Sequence, residues 1–185
     1  MRGNNTLSDN ELKNYAEEHI QYEVDMLCSS AGILAFIAGQ TPEGYLPWTI
    51  NNGLLNSFSL HARNLINFLY SKSRGADHST DIIIEDYIDT DQYPDYLPDI
   101  SPFLEEVITK SNKQAAHLTM ERIDYEESGK EWMFLKISKQ IMEVFRQVVN
   151  YIPDEKISEG FRNKLLEEDF KIPKVIIQTK KNTSG

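Results

Sequence analysis

The sequence predicts an all-α protein, an antiparallel four-helix bundle with one or two short accessory helices. Two observations predict it. Apolar residues recur at three- and four-residue steps over four long windows, which is the period of one helix face. Several of those windows open on a capping residue or close on Gly or Pro. The tail Lys174 to Thr179 (KVIIQT) has strand propensity, but no partner strand is evident. With 185 residues the chain can bury one real core. A single helical domain over 1–185 is expected, with the core bundle over about 8–151 and a short helix and tail over 152–185.

The first helix opens on Ser8-Asp9-Asn10-Glu11, a capping box with Ser8 as N-cap and Glu11 at the third helical position. It runs to about Ala38, and Gly39 stops it. Leu12, Ala16, Ile20, Leu27, Ala31, Leu34 and Ala38 mark its buried face. Glu23 projects inside that apolar arc, and a buried carboxylate needs a partner, so an Arg or His is expected opposite it.

Gln40 to Trp48 (QTPEGYLPW) reads as a loop punctuated by Pro and Gly. The second helix, Asn51 to Lys72, is the one the chain is organised around. Leu55, Phe58, Ala62, Leu65 and Leu69 form its stripe. At 100° per residue His61 falls on one edge of that stripe and Arg63 on the other. Asn64 faces away from it and suits a second interface. Ser73 to Tyr96 is an acidic connection with one apolar knot, Ile82 to Ile84, expected as a short helical turn. Asp86, Asp89 and Asp91 are spaced like ligands, but the glycine and closing glutamate of a calcium loop are missing, so a solvated loop is expected.

Ser101-Pro102 starts a third helix, with Ser as N-cap and Pro at the first helical position. It runs to about Tyr125 with a stripe of Phe103, Leu104, Val107, Ile108, Ala115 and Leu118, and Ser128-Gly129 breaks it. A fourth helix spans about Glu131 to Tyr151, with Trp132, Leu135, Ile141, Phe145 and Val149 among its apolar positions, and Pro153 ends it. A shorter helix is expected over Asp154 to Asp169.

Bulk chemistry narrows the function. A composition of 40% hydrophobic and 26% charged residues suits a soluble globular protein. A net charge of −10 argues against a general nucleic-acid or membrane-surface binder, leaving room only for a local basic patch. The single Cys28 excludes an intrachain disulfide and a Cys-rich zinc site, and fits a reducing cytoplasm. The N-terminal MRGNNTLSDNELK holds no apolar signal core, and Ala31 to Gly39 is too short to span a bilayer. A cytoplasmic protein without membrane partners is expected.

On the third helix, Lys110 and His117 lie seven residues apart, two turns on one edge, with Gln114 between them. Arg122 falls in the apolar arc near Leu104 and Ala115, a natural partner for Glu23. LHARNLINFLY followed by NKxxAHLTxxR resembles a widespread, largely uncharacterised family of bacterial helical-bundle proteins, over about residues 10–150. More remotely it resembles the HEPN superfamily of small helical bundles, many of which dimerise and cleave RNA without a metal. Their signature is an Arg, often followed by Asn, Asp or His, then a His four to six residues further on. Here the nearest match is Lys110, six residues, His117, with Ser111 after the cation. Lys lacks the planar bidentate grip of Arg on phosphate. Arg63-Asn64 matches the first half of the signature, but Phe68, Leu69 and Tyr70 stand where its His belongs.

The resemblance implies RNA binding or cleavage in bacterial defence or toxin–antitoxin systems, and a homodimer or a protein partner. His117 would move the 2′-hydroxyl or leaving-group proton, and Lys110 or Arg63 would hold the phosphate. Glu23, His61, Asn64, Asn112 and Arg122 would form a structural polar network behind them. On the competing reading the same histidines are core-edge residues bonded to Glu23, Asn112 or backbone, and Arg63 or Arg122 pairs with Glu23. The chain is then a non-catalytic interaction or dimerisation module. No Gly-rich phosphate loop, nucleophile elbow or Glu-x-x-His pair occurs, so neither cofactor nor metal is expected.

Overall fold

The computed structural model describes residues 7–37, 44–71, 81–116 and 132–167. Every regular element among them is a helix. Helix α1 spans Asp9–Ile37. The Ser8 side chain accepts from Glu11 N, and the Glu11 carboxylate receives the Ser8 N–H at 2.8 Å, so the expected capping box closes. Within α1 the segment Ala16–Ile20 widens into a π-turn. On length and composition α1 is apolar enough to cross a bilayer. However, its Leu12, Ala16, Ile20, Val24, Leu27, Ala31 and Leu34 are spent on the core.

Helix α2, Tyr45–Tyr70, starts about two turns before the sequence suggests. Gly44 adopts φ 101° as N-cap, a conformation few residues other than glycine reach. Pro47 then sits in the first turn, where its missing N–H breaks no helical bond. Helix α2 packs against α1 and against the two later helices introduced next. Phe58, Ala62, Leu65, Ile66 and Leu69 are fully buried there.

The apolar knot in the acidic connection forms a 3-10 turn at Ile84–Asp86, two residues later than expected. Tyr87 beside it is buried and donates its hydroxyl to Leu12 O at 2.9 Å. Helix α3 is Pro102–Lys110, with Ser101 as N-cap, continued by a second π-turn at Ser111–Ala116. Helix α4, Phe134–Val148, runs into a 3-10 turn at Val149–Tyr151. Trp132 precedes α4 rather than belonging to it and meets Phe58 edge to face. Leu135 points out and is half exposed.

Helix α5, Glu159–Leu166, is shorter than expected. Ser158, not Asp154, caps it, accepting from Phe161 N. Asp154 instead bonds Arg162, which also donates to Val149 O and Ile152 O, both at 2.6 Å. One guanidinium thus ties together two carbonyls at the end of the α4 extension, of which Val149 O also accepts the Ile152 N–H. Phe161 and Leu165 join the main core. The tail Lys174 to Thr179, the breaker Ser128-Gly129 and the far end of the third helix lie outside the described residues.

Burial, followed by the charge of Asp25, pushes the Cys28 thiol up to about 12. Alkylation of native Cys28 by a water-soluble reagent is therefore expected to run at least about 100-fold slower than in denaturant. Equal rates would show that the α1 face opens freely.

Candidate functional site

Glu23 stands one turn after the π-turn of α1, and His61 and Asn64 stand one turn apart on α2. The close packing of these two helices brings the three together. His61 Nδ1 lies 2.8 Å from Glu23 Oε2, and Asn64 Nδ2 donates to the same oxygen at 3.2 Å. His61 is buried, and its ring also meets Tyr22 edge to face at 5.6 Å. With Nδ1 protonated, both donors converge on one oxygen of one carboxylate. The Glu23 side chain keeps 25% of its surface, so this carboxylate is anchored in the core at one side and open at the other.

The partner of Glu23 is therefore a histidine and an amide rather than Arg63. Among the described residues Arg63 forms no ion pair. It follows His61 by two positions, and 200° of rotation carries it off the face that meets α1. Arg122 and His117 lie outside the described residues. Lys110 places its ammonium over the Trp132 ring, 5.0 Å from the centroid. Next to it, Ser111 Oγ and Asn112 Oδ1 are buried without a hydrogen-bond partner among the described residues, as is Ser59 Oγ on α2.

Beside the Glu23 cluster a cleft of about 390 Å³ opens between α1 and the C-terminal half of α2. Tyr15, His19, Ile20 and Glu23 line it from α1. Asn64, Leu65, Asn67, Phe68 and Ser71 line it from α2 and its cap, and Asp81, Ile82 and Ile83 close it. Burial raises the pKa of the Tyr15 hydroxyl, and the charges of Glu23 and Asp81 add to the effect. Sequence reasoning singles out Glu23 and Asn64 but passes over Tyr15, Asn67 and Asp81. The spacing of Tyr15, His19 and Glu23, four residues each, was the available signal.

A second feature is apolar. Tyr45, Leu46, Trp48 and Ile50, in the first two turns of α2, are 80, 69, 60 and 52% exposed. Leu60, Phe36, Met133 and Leu135 are also more than half exposed. Among the described residues no group of three His, Cys, Asp or Glu side chains is placed to hold a metal. Comparison with family models, with curated proteins and with solved structures yields no match.

Proposed function

We propose that the chain is an HEPN-like, antiparallel four-helix bundle that works as a non-catalytic interaction module in the cytoplasm and self-associates as a homodimer. The observation that carries this reading is the run Tyr45, Leu46, Trp48 and Ile50. Four large apolar side chains within six residues stand more than half exposed. Soluble proteins keep such surface for partners, and aromatic anchors of this kind dominate interface energies. The Glu23–His61–Asn64 cluster supports the same reading. Polar partners that fit only one another penalise a slipped packing of α1 on α2, and so hold the face in shape. Sedimentation equilibrium tests the proposal: the parent should be dimeric at micromolar concentration. The double substitution Leu46→Glu, Trp48→Glu should weaken the dimer at least about 100-fold with an unchanged helical spectrum. A monomeric parent ends the dimer reading.

A ribonuclease is the second reading, and one observation favours it. Ser111 Oγ and Asn112 Oδ1, just after Lys110, are buried polar atoms without partners among the described residues, on a π-turn, and such turns recur at functional sites. On this reading His117 moves the proton and Lys110, freed from Trp132, holds the phosphate. Labelled single-stranded RNA and transfer RNA should be cleaved in the presence of EDTA. His117→Ala should abolish cleavage, Lys110→Ala should weaken binding and turnover together, and Lys110→Arg should preserve or raise activity. Uncut RNA leaves the interaction module; cleavage by His117→Ala places the site elsewhere.

A further inference from the structure

We propose that two copies of the chain pair through the outer face of α2, antiparallel and crossing at Gly53, so that Leu46 of each copy packs on Leu60 of the other. This rests on the dimer reading above and assigns the face and the geometry of the contact. The face follows from rotation along the helix. At 100° per residue Leu46, Ile50, Gly53, Ser57 and Leu60 fall within an arc of roughly 80°. Leu46, Ile50 and Leu60 are 69, 52 and 51% exposed, and Gly53 is exposed between them. Alternating steps of four and three residues are those of a seam along which one helix lies against another.

Three observations point to a second copy as the occupant. The first is charge. Tyr45 to Ala62 holds no Asp, Glu, Lys or Arg, and neither does Met26 to Ile37 in the half of α1 that precedes it, although 26% of the chain is charged. A chain of net charge −10 repels its own copies, and on this face they meet no like charge. A strongly acidic or basic partner would find nothing here to pair with. The second is symmetry. Leu46 and Leu60 stand seven residues either side of Gly53. A two-fold axis at Gly53 therefore sets Leu46 on Leu60 twice over and brings Thr49 opposite Ser57, the self-complementarity that an isologous dimer needs. The third is Gly53 itself. A side chain there would meet no described atom within 4 Å, so no described contact calls for glycine. Glycine in a helix interior costs stability relative to alanine. What a bare backbone offers is close approach by a second helix, and that approach brings the flanking leucines into contact.

The experiment is sedimentation equilibrium and thiol cross-linking of the full chain. Gly53→Leu should weaken the dimer at least about tenfold with an unchanged helical spectrum, because the added side chain has room in one copy and blocks the approach of two. Leu46→Cys mixed with Leu60→Cys should cross-link through a short bismaleimide, and each variant alone should not. The parent, whose Cys28 is buried, is the blank. A monomeric parent overturns this proposal together with the dimer reading. A dimeric parent overturns the proposal alone if Leu46→Cys cross-links to itself, or if the mixture gives no product. A Gly53→Leu variant that dimerises as tightly as the parent does the same, because the contact then lies on another face.

Discussion

Phe58→Ala is expected to destabilise the protein by about 4 kcal/mol, the largest effect of any single substitution considered. Phe58 is fully buried on the inner face of α2. Its ring makes edge-to-face contacts with Trp132 at 6.0 Å and with Phe134 at 5.2 Å, tying α2 to the start of α4. Truncation loses the transfer free energy of the ring, leaves a cavity where two further rings lose a neighbour, and forfeits both quadrupolar contacts. In a chain of this length that loss should lower the melting temperature by roughly 10 °C. Phe58→Leu, which keeps most of the volume, should cost less than half as much. A loss below 1 kcal/mol for Phe58→Ala in urea unfolding would mean that the α2–α4 contact is loose.

The second large effect is expected at Glu23. Glu23→Ala removes the acceptor shared by His61 and Asn64 and leaves two polar groups unpaired, one of them buried, at a cost of about 2 to 3 kcal/mol. The carboxylate retains a quarter of its surface, so solvent moderates the charge contribution and the unpaired donors dominate. Glu23→Gln keeps one amide oxygen as acceptor and should recover about half of the loss. A double-mutant cycle of Glu23→Ala with His61→Ala should give a coupling of at least about 1 kcal/mol. Additive losses would mean that the 2.8 Å contact between them contributes nothing to stability. The two predictions separate the two kinds of cohesion in this helix pair: Phe58 reports on apolar packing, Glu23 on a directional polar lock.

Much of this architecture can be read from one-dimensional pattern because its cause is local. The Ser8–Glu11 capping box and the Ser101-Pro102 start are interactions within one turn, so the sequence contains both partners. Stripe positions such as Leu27, Phe58, Leu65 and Ile141 follow from the 3.6-residue period, and burial on one face is its direct result. The need of Glu23 for a partner was likewise legible, since a carboxylate inside an apolar arc must be compensated.

Which partner Glu23 found was decided by tertiary structure alone. Arg63, His61 and Asn64 are near neighbours in sequence, and only the rotation of α2 against α1 selects the last two. The start of α2 at Tyr45 depends on Gly44 reaching φ 101°, and a Pro–Gly stretch reads equally well as loop until that is known. Lys110 over Trp132 joins residues 22 positions apart, and no spacing rule connects them. The π-turns at Ala16–Ile20 and Ser111–Ala116 carry no period of their own in the sequence. The sequence alone therefore determined that the described chain is helical and which faces are apolar, because these follow from forces within a few residues. The pairing of Glu23 with His61, the cleft beside it and the exposed start of α2 were decided by the tertiary structure, because each depends on how one helix is rotated or extended relative to another.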